Sequence, residues 1–163
     1  MKLNVLGSES APEQSRPLLE QAHRNYGFVP NILGVMANSP ALLEAYMTMS
    51  QIFEKTGFSA AEKQVVLLAV STENGCDYCT TAHTAIGRMQ GVDEAVLDAI
   101  ARGDALPDER LDALFRFTRA LVEKRGHPSD DDLRAFLEAG YSEAQVQDRS
   151  EEHTSELQSP SAI

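Results

Sequence analysis

An all-α fold follows from three features of the sequence. Apolar residues recur at helical rather than alternate spacing, Ser cap signals stand just before several of those stretches, and glycines stand just after many of them. No segment alternates apolar and polar residues as a half-buried strand requires.

Taken in order, the first helix is expected over residues 12–24, with Pro17 limiting its regularity because an interior proline removes a donor and crowds the preceding turn. A short helix follows Y-G-F-V-P, from about Asn31 to Ala37. Ser39-Pro40 supplies a cap and a first-turn proline for a helix to about Lys55, closed by Gly57. Ser59-Ala60-Ala61-Glu62 is a capping box, and the V-V-L-L-A-V run it opens is apolar nearly all round, so that helix belongs at the centre of the core. Asn74-Gly75 breaks it. A new helix starts at Cys76 or Asp77 and ends near Gly91.

Helices are then expected at about 93–102, 108–125 and 130–139, ended by Gly103, Gly126 and Gly140. Leu111, Leu114, Phe115, Thr118, Leu121 and Val122 form one helical stripe. Met36, Met47 and Met49 are read as core filler. Ser142 to Gln145 is a further capping box, and Val146 begins an apolar face that never develops. The remainder, R-S-E-E-H-T-S-E-L-Q-S-P-S-A-I, has no sustained apolar period and is expected to be disordered. It resembles the translation of a sequencing adapter. The expectation is therefore one helical domain over 1–148, incomplete at its C-terminal end, and an artefactual tail over 149–163.

The chain has 163 residues, with 14 Lys and Arg against 25 Asp and Glu, a formal charge of −11. Such a surface repels phosphate backbones and anionic lipid, which argues against nucleic-acid and membrane-surface roles. No window approaches a membrane span, and the N-terminus lacks the pattern of a secretory signal. A cytoplasmic location is expected, where two cysteines are more often catalytic or metal-binding than structural.

Both cysteines lie in E-N-G-C-D-Y-C-T-T-A-H, with Glu73, Cys76, Cys79 and His83 within eleven positions. Cys76 falls at the entry of a helix, where free N–H groups and the helix dipole favour a thiolate. Cys79 lies one turn on and His83 one turn beyond that, so an imidazole stands within reach of a thiol proton. His83 next to Cys79 favours Cys79 as the nucleophile and Cys76 as the thiol that resolves a sulfenic acid; the helix start permits the reverse. Glu73 is the nearest carboxylate for orienting His83, with Glu62 and Asp77 weaker candidates, since one completes a capping box and the other is a first-turn charge. A zinc site would need a fourth ligand from His23 or His127 and lacks a second ligand pair. Haem attachment would need histidine where Thr80 stands. A redox dithiol is the favoured reading over zinc or two inert cysteines, and His23 and His127 are taken as surface residues. Tyr78 either packs or offers its hydroxyl to a substrate.

The stretch S-A-A-E-K-Q-V-V-L-L-A-V-S-T-E-N-G-C-D-Y-C-T-T-A-H, with Y-G-F-V-P-N-I-L and S-P-A-L-L-E-A-Y upstream, resembles the AhpD-like alkylhydroperoxidases, peroxidase-related branch, of the carboxymuconolactone decarboxylase superfamily. The resemblance covers about residues 1–148. It implies an all-α fold, homo-oligomers (trimers or hexamers), and thiol-dependent reduction of hydroperoxides without metal, haem or other cofactor. It assigns attack to Cys79, resolution to Cys76 and a proton relay to His83, with a lipoylated or thioredoxin-like protein as reductant. The chain departs from the pattern at Gln64, where the relay glutamate stands in such proteins, and at Tyr78, where they have histidine; in the branch it resembles most, Glu73 takes the carboxylate role. Relatives continue past the position of Val146 into a long helix, and decarboxylating members lack the cysteine pair. Protein disulfide exchange and non-enzymatic redox sensing are the alternative uses of the same dithiol.

Overall fold

The computed structural model describes residues 3–148, and among them every regular element is helical. The tail expected as disordered, 149–163, and any helix beyond Asp148 lie outside the described residues. The described residues group into two compact units that divide after Lys55.

In the first unit, a single 3-10 turn, Glu13–Ser15, leads into α1, Arg16–Tyr26. Pro17 therefore sits in the first turn of α1 rather than inside a longer helix, where its missing N–H costs nothing. Helix α2 spans Asn31–Met36 and α3 spans Pro40–Phe53, capped by Ser39 accepting from the Leu42 N–H. Helix α3 ends at Phe53, with Glu54 as its C-cap, ahead of Gly57, which has no left-handed backbone. Leu19, Ala22, Leu33, Ala37, Leu43 and Met47 form the core here, with Met36 packed against it. The N-terminal segment lies along α2, where Leu6 N–H donates to Gly34 O at 3.0 Å and Asn38 Nδ2 donates to Asn4 O at 2.8 Å. Gly34 allows that approach: a Cβ there would stand 2.7 Å from Val5 Cγ1 and 2.8 Å from Leu6 O.

The second unit is built around α4, Ala60–Glu73, with α5, Asp77–Met89, α6, Glu94–Arg102, and α7, Glu109–Glu123, packed against it. Helices α8, Asp130–Glu138, and α9, Glu143–Gln147, follow. The capping box at the start of α4 forms in full: Ser59 N–H donates to Glu62 Oε2 at 2.7 Å and Glu62 N–H to Ser59 Oγ at 3.2 Å. Val65, Val66, Leu68, Ala69 and Val70 are all buried, as an all-round apolar helix requires. The α7 stripe buries Leu114, Phe115, Thr118 and Leu121, and the Thr118 hydroxyl donates to Leu114 O at 2.8 Å. Phe136 of α8 stacks between Phe117 and Tyr141, each ring centroid 4.4 Å away. Each such stack adds about 0.5–1.5 kcal/mol beyond the apolar area it buries.

Glu62 has a second set of partners. Arg110 Nη2 lies 3.2 Å from Glu62 Oε1 and sits over the Tyr141 ring. Burial pushes the Glu62 carboxyl up, but hydrogen bonds from Ser59 and Tyr141 and the Arg110 charge outweigh it, so the group is held below its ordinary value. The same burial and the neighbouring Glu62 raise the Tyr141 phenol. Among the described residues no helix is long and apolar enough to cross a membrane.

Candidate active site

The turn between α4 and α5 sets the site. Gly75 adopts φ +62°, a left-handed conformation that side-chain-bearing residues rarely take. This turns the chain so that Cys76 N–H reaches back to Ser71 O at 2.8 Å, and α5 then runs back along α4.

Cys76 is the N-cap of α5, with extended backbone (φ −85°, ψ 90°). Its Sγ accepts from the Cys79 N–H at 3.3 Å, the place usually taken by a serine or aspartate oxygen. Both cysteines are thiols, neither fully buried nor fully exposed. Asp77 is exposed in the first turn and Tyr78 projects to solvent, 45% exposed.

His83 stands one turn after Cys79 and is half-buried. Its Nδ1 lies 3.2 Å from Oε1 of Gln64, nineteen positions earlier on α4. Gln64 is buried, 4% exposed, so the contact lies on the inner side of α5. Burial holds the His83 ring below its ordinary pKa, which keeps it in the neutral form at neutral pH.

Glu73 takes a different partner. Its Oε2 receives Arg119 Nε of α7 at 2.8 Å, and Arg119 also leans over the Phe115 ring. The structure thus places Cys76, Cys79 and His83 along one helix, adds Gln64 to His83, and ties Glu73 to Arg119 at the end of α4. Gln64 carried a signal in the sequence, since it stands where the proteins the sequence resembles have a glutamate. The signal for Arg119 was absent. His23 and His127 are exposed, and among the described residues no three His, Cys, Asp or Glu side chains converge as a metal site requires. A cavity of about 470 Å³ opens elsewhere, between α7 and α8 over Phe117, and its Asp112, Asp131 and Asp132 are each paired with Arg or Lys.

The family model for the carboxymuconolactone decarboxylase family matches residues 40–121, half of the chain, including all of α4 and α5. The chain belongs to that family. Among solved structures, it is similar to the alkylhydroperoxidase AhpD core of a peroxidase-related protein from Ralstonia eutropha. The identity is 24% and the TM-score 0.78, over 89% of this chain and 78% of that one. It is also similar to a peroxidase-related protein from a Silicibacter species, at 21% identity and TM-score 0.74, over 91% of this chain and 78% of that one. These likenesses make the all-α fold AhpD-like. No curated protein matches the chain.

Proposed function

We propose that this member of the family is a thiol-dependent peroxidase that reduces hydroperoxides through a Cys76–Cys79 dithiol. The observation that carries the reading is the sulfur N-cap: Cys76 receives the Cys79 N–H at the start of α5, with a neutral His83 one turn past Cys79. The peroxidase-related solved structures support it at the level of fold.

In the proposed cycle His83 takes the Cys79 proton and the thiolate attacks the terminal oxygen of ROOH. The O–O bond breaks, the proton goes to the departing alkoxide, and ROH leaves a Cys79 sulfenic acid. Cys76 thiolate attacks that sulfur, a Cys76–Cys79 disulfide forms, and the oxygen departs as water once protonated. Two thiols are oxidised and one peroxide reduced per turn. A dithiol reductant, lipoylated or thioredoxin-like, restores the pair by exchange. Glu73, held by Arg119, supports the end of α4 from which Cys76 hangs. The reading also takes the protein as a cytoplasmic homo-oligomer.

The test is stopped-flow mixing of the reduced protein with one equivalent of cumene hydroperoxide, followed by a free-thiol count. Fast loss of both thiols, matched to peroxide consumed, is expected. Thiols that persist in a folded sample would end the peroxidase reading and leave disulfide exchange or redox sensing.

A further inference from the structure

Gln64 is a buried polar side chain that the dithiol cycle does not use. Its oxygen faces His83 Nδ1 at 3.2 Å. An amide oxygen accepts and never donates, so the nitrogen opposite it carries the hydrogen.

We propose that Gln64 is a positioning residue for His83, holding the Nδ1–H tautomer so that Nε2 is the basic nitrogen turned to the dithiol. The inference deepens the peroxidase reading and rests on it only for the thiol that Nε2 serves. Exposed imidazoles in water favour the opposite, Nε2–H form, so the tautomer is a property imposed by the fold.

A further consequence separates this site from a relay. A neutral amide gives and takes no proton at working pH, so Nδ1 is closed to exchange along that contact. His83 collects the Cys79 proton on Nε2 and must return it from Nε2. A carboxylate at position 64 would instead stabilise the imidazolium and open Nδ1 to transfer. The charged groups on the packed elements are otherwise committed or of mixed sign. On α4, Glu62 holds Ser59 and Arg110, Glu73 holds Arg119, and Lys63 is buried. On α6, Glu94 holds Arg88 of α5 and Arg102 holds Asp104, with Asp98 between them; Asp77 lies in the first turn of α5.

The experiment is heteronuclear NMR of the reduced full chain with labelled histidine, the His83 signal being assigned by its loss in His83→Gln. A pyrrole-type Nδ1 and a pyridine-type Nε2 are expected above the titration of the ring. In Gln64→Leu the populations should move toward Nε2–H, and alkylation of Cys79 by iodoacetamide in a Cys76→Ser background should slow about tenfold. Gln64→Glu should move the His83 titration to higher pH. An Nε2–H tautomer in the unsubstituted chain overturns the proposal whether or not the variants fold, as does an unchanged tautomer in a folded Gln64→Leu. The spectra need no peroxide, so a failed peroxide assay and a wrong tautomer are separate results.

Discussion

Replacing Cys76 in two ways separates its work as a helix cap from its work as a thiol. Its sulfur accepts the Cys79 N–H at 3.3 Å, a longer and weaker bond than an oxygen cap makes. Serine is among the best N-cap residues, and removing a cap to alanine costs about 0.5–2 kcal/mol. A sulfur cap belongs at the low end of that range. Cys76→Ser should therefore be as stable as the parent, and Cys76→Ala less stable by about 0.5–1 kcal/mol. For a chain of 163 residues, about 1 kcal/mol corresponds to a fall in Tm of roughly 2–4 °C. Both variants lose the second thiol, so both should turn over much more slowly than the parent, because the dithiol reductant must then attack the Cys79 sulfenic acid itself. Thermal melts in reducing buffer, paired with turnover assays on the same samples, read both effects. Equal melting losses for serine and alanine would refute the cap argument. Parental turnover in Cys76→Ser would refute the resolving role.

Three further outcomes are expected. His83 is held below its ordinary pKa of 6.5 by burial, so the unfolded chain binds a proton that the folded chain refuses; stability is full above about pH 6.5 and declines as pH falls toward the folded value, and His83→Gln should flatten that limb of a Tm-against-pH curve. Phe136→Ala removes a buried ring stacked on both faces and should cost about 3–5 kcal/mol in urea unfolding, a loss under 1 kcal/mol being incompatible with the packing described. Gly34→Ala drives a Cβ against Leu6 O, and a backbone oxygen cannot swing aside; hydrogen exchange of the Leu6 amide should accelerate, with a stability loss of about 1–3 kcal/mol.

Most elements were legible because their start and stop signals are local. Ser59 with Glu62, the glycines after α6, α7 and α8, and the α7 stripe all act within a few residues of the boundary they set. Pro17 moved the start of α1, because a proline at a helix entry is favourable while one inside a helix is not. The line from Cys76 through Cys79 to His83 was legible for the same local reason. The partners of the site were not. Arg119 reaches Glu73 across 46 positions, and no periodicity in either helix encodes that pairing. Gln64 is an intermediate case. Gln64 lies seven residues before Ser71 and His83 seven residues after Cys76, about two helical turns in each case, so the two pairs share one midpoint in the sequence. Given an antiparallel hairpin, the second pairing follows from the first; without the left-handed Gly75 that makes the hairpin tight, it does not.

The sulfur cap also ties the redox poise of the pair to the integrity of a helix. Cys76 satisfies a first-turn N–H of α5 while it is reduced. In the proposed Cys76–Cys79 disulfide the same sulfur would be a poorer acceptor for that N–H. The helix therefore sides with the dithiol and acts as a light spring against oxidation. If the cap is worth about 1 kcal/mol, the pair becomes more oxidising by roughly 20 mV. In the proposed cycle such a disulfide would be made by a strong oxidant and surrendered readily to a modest reductant.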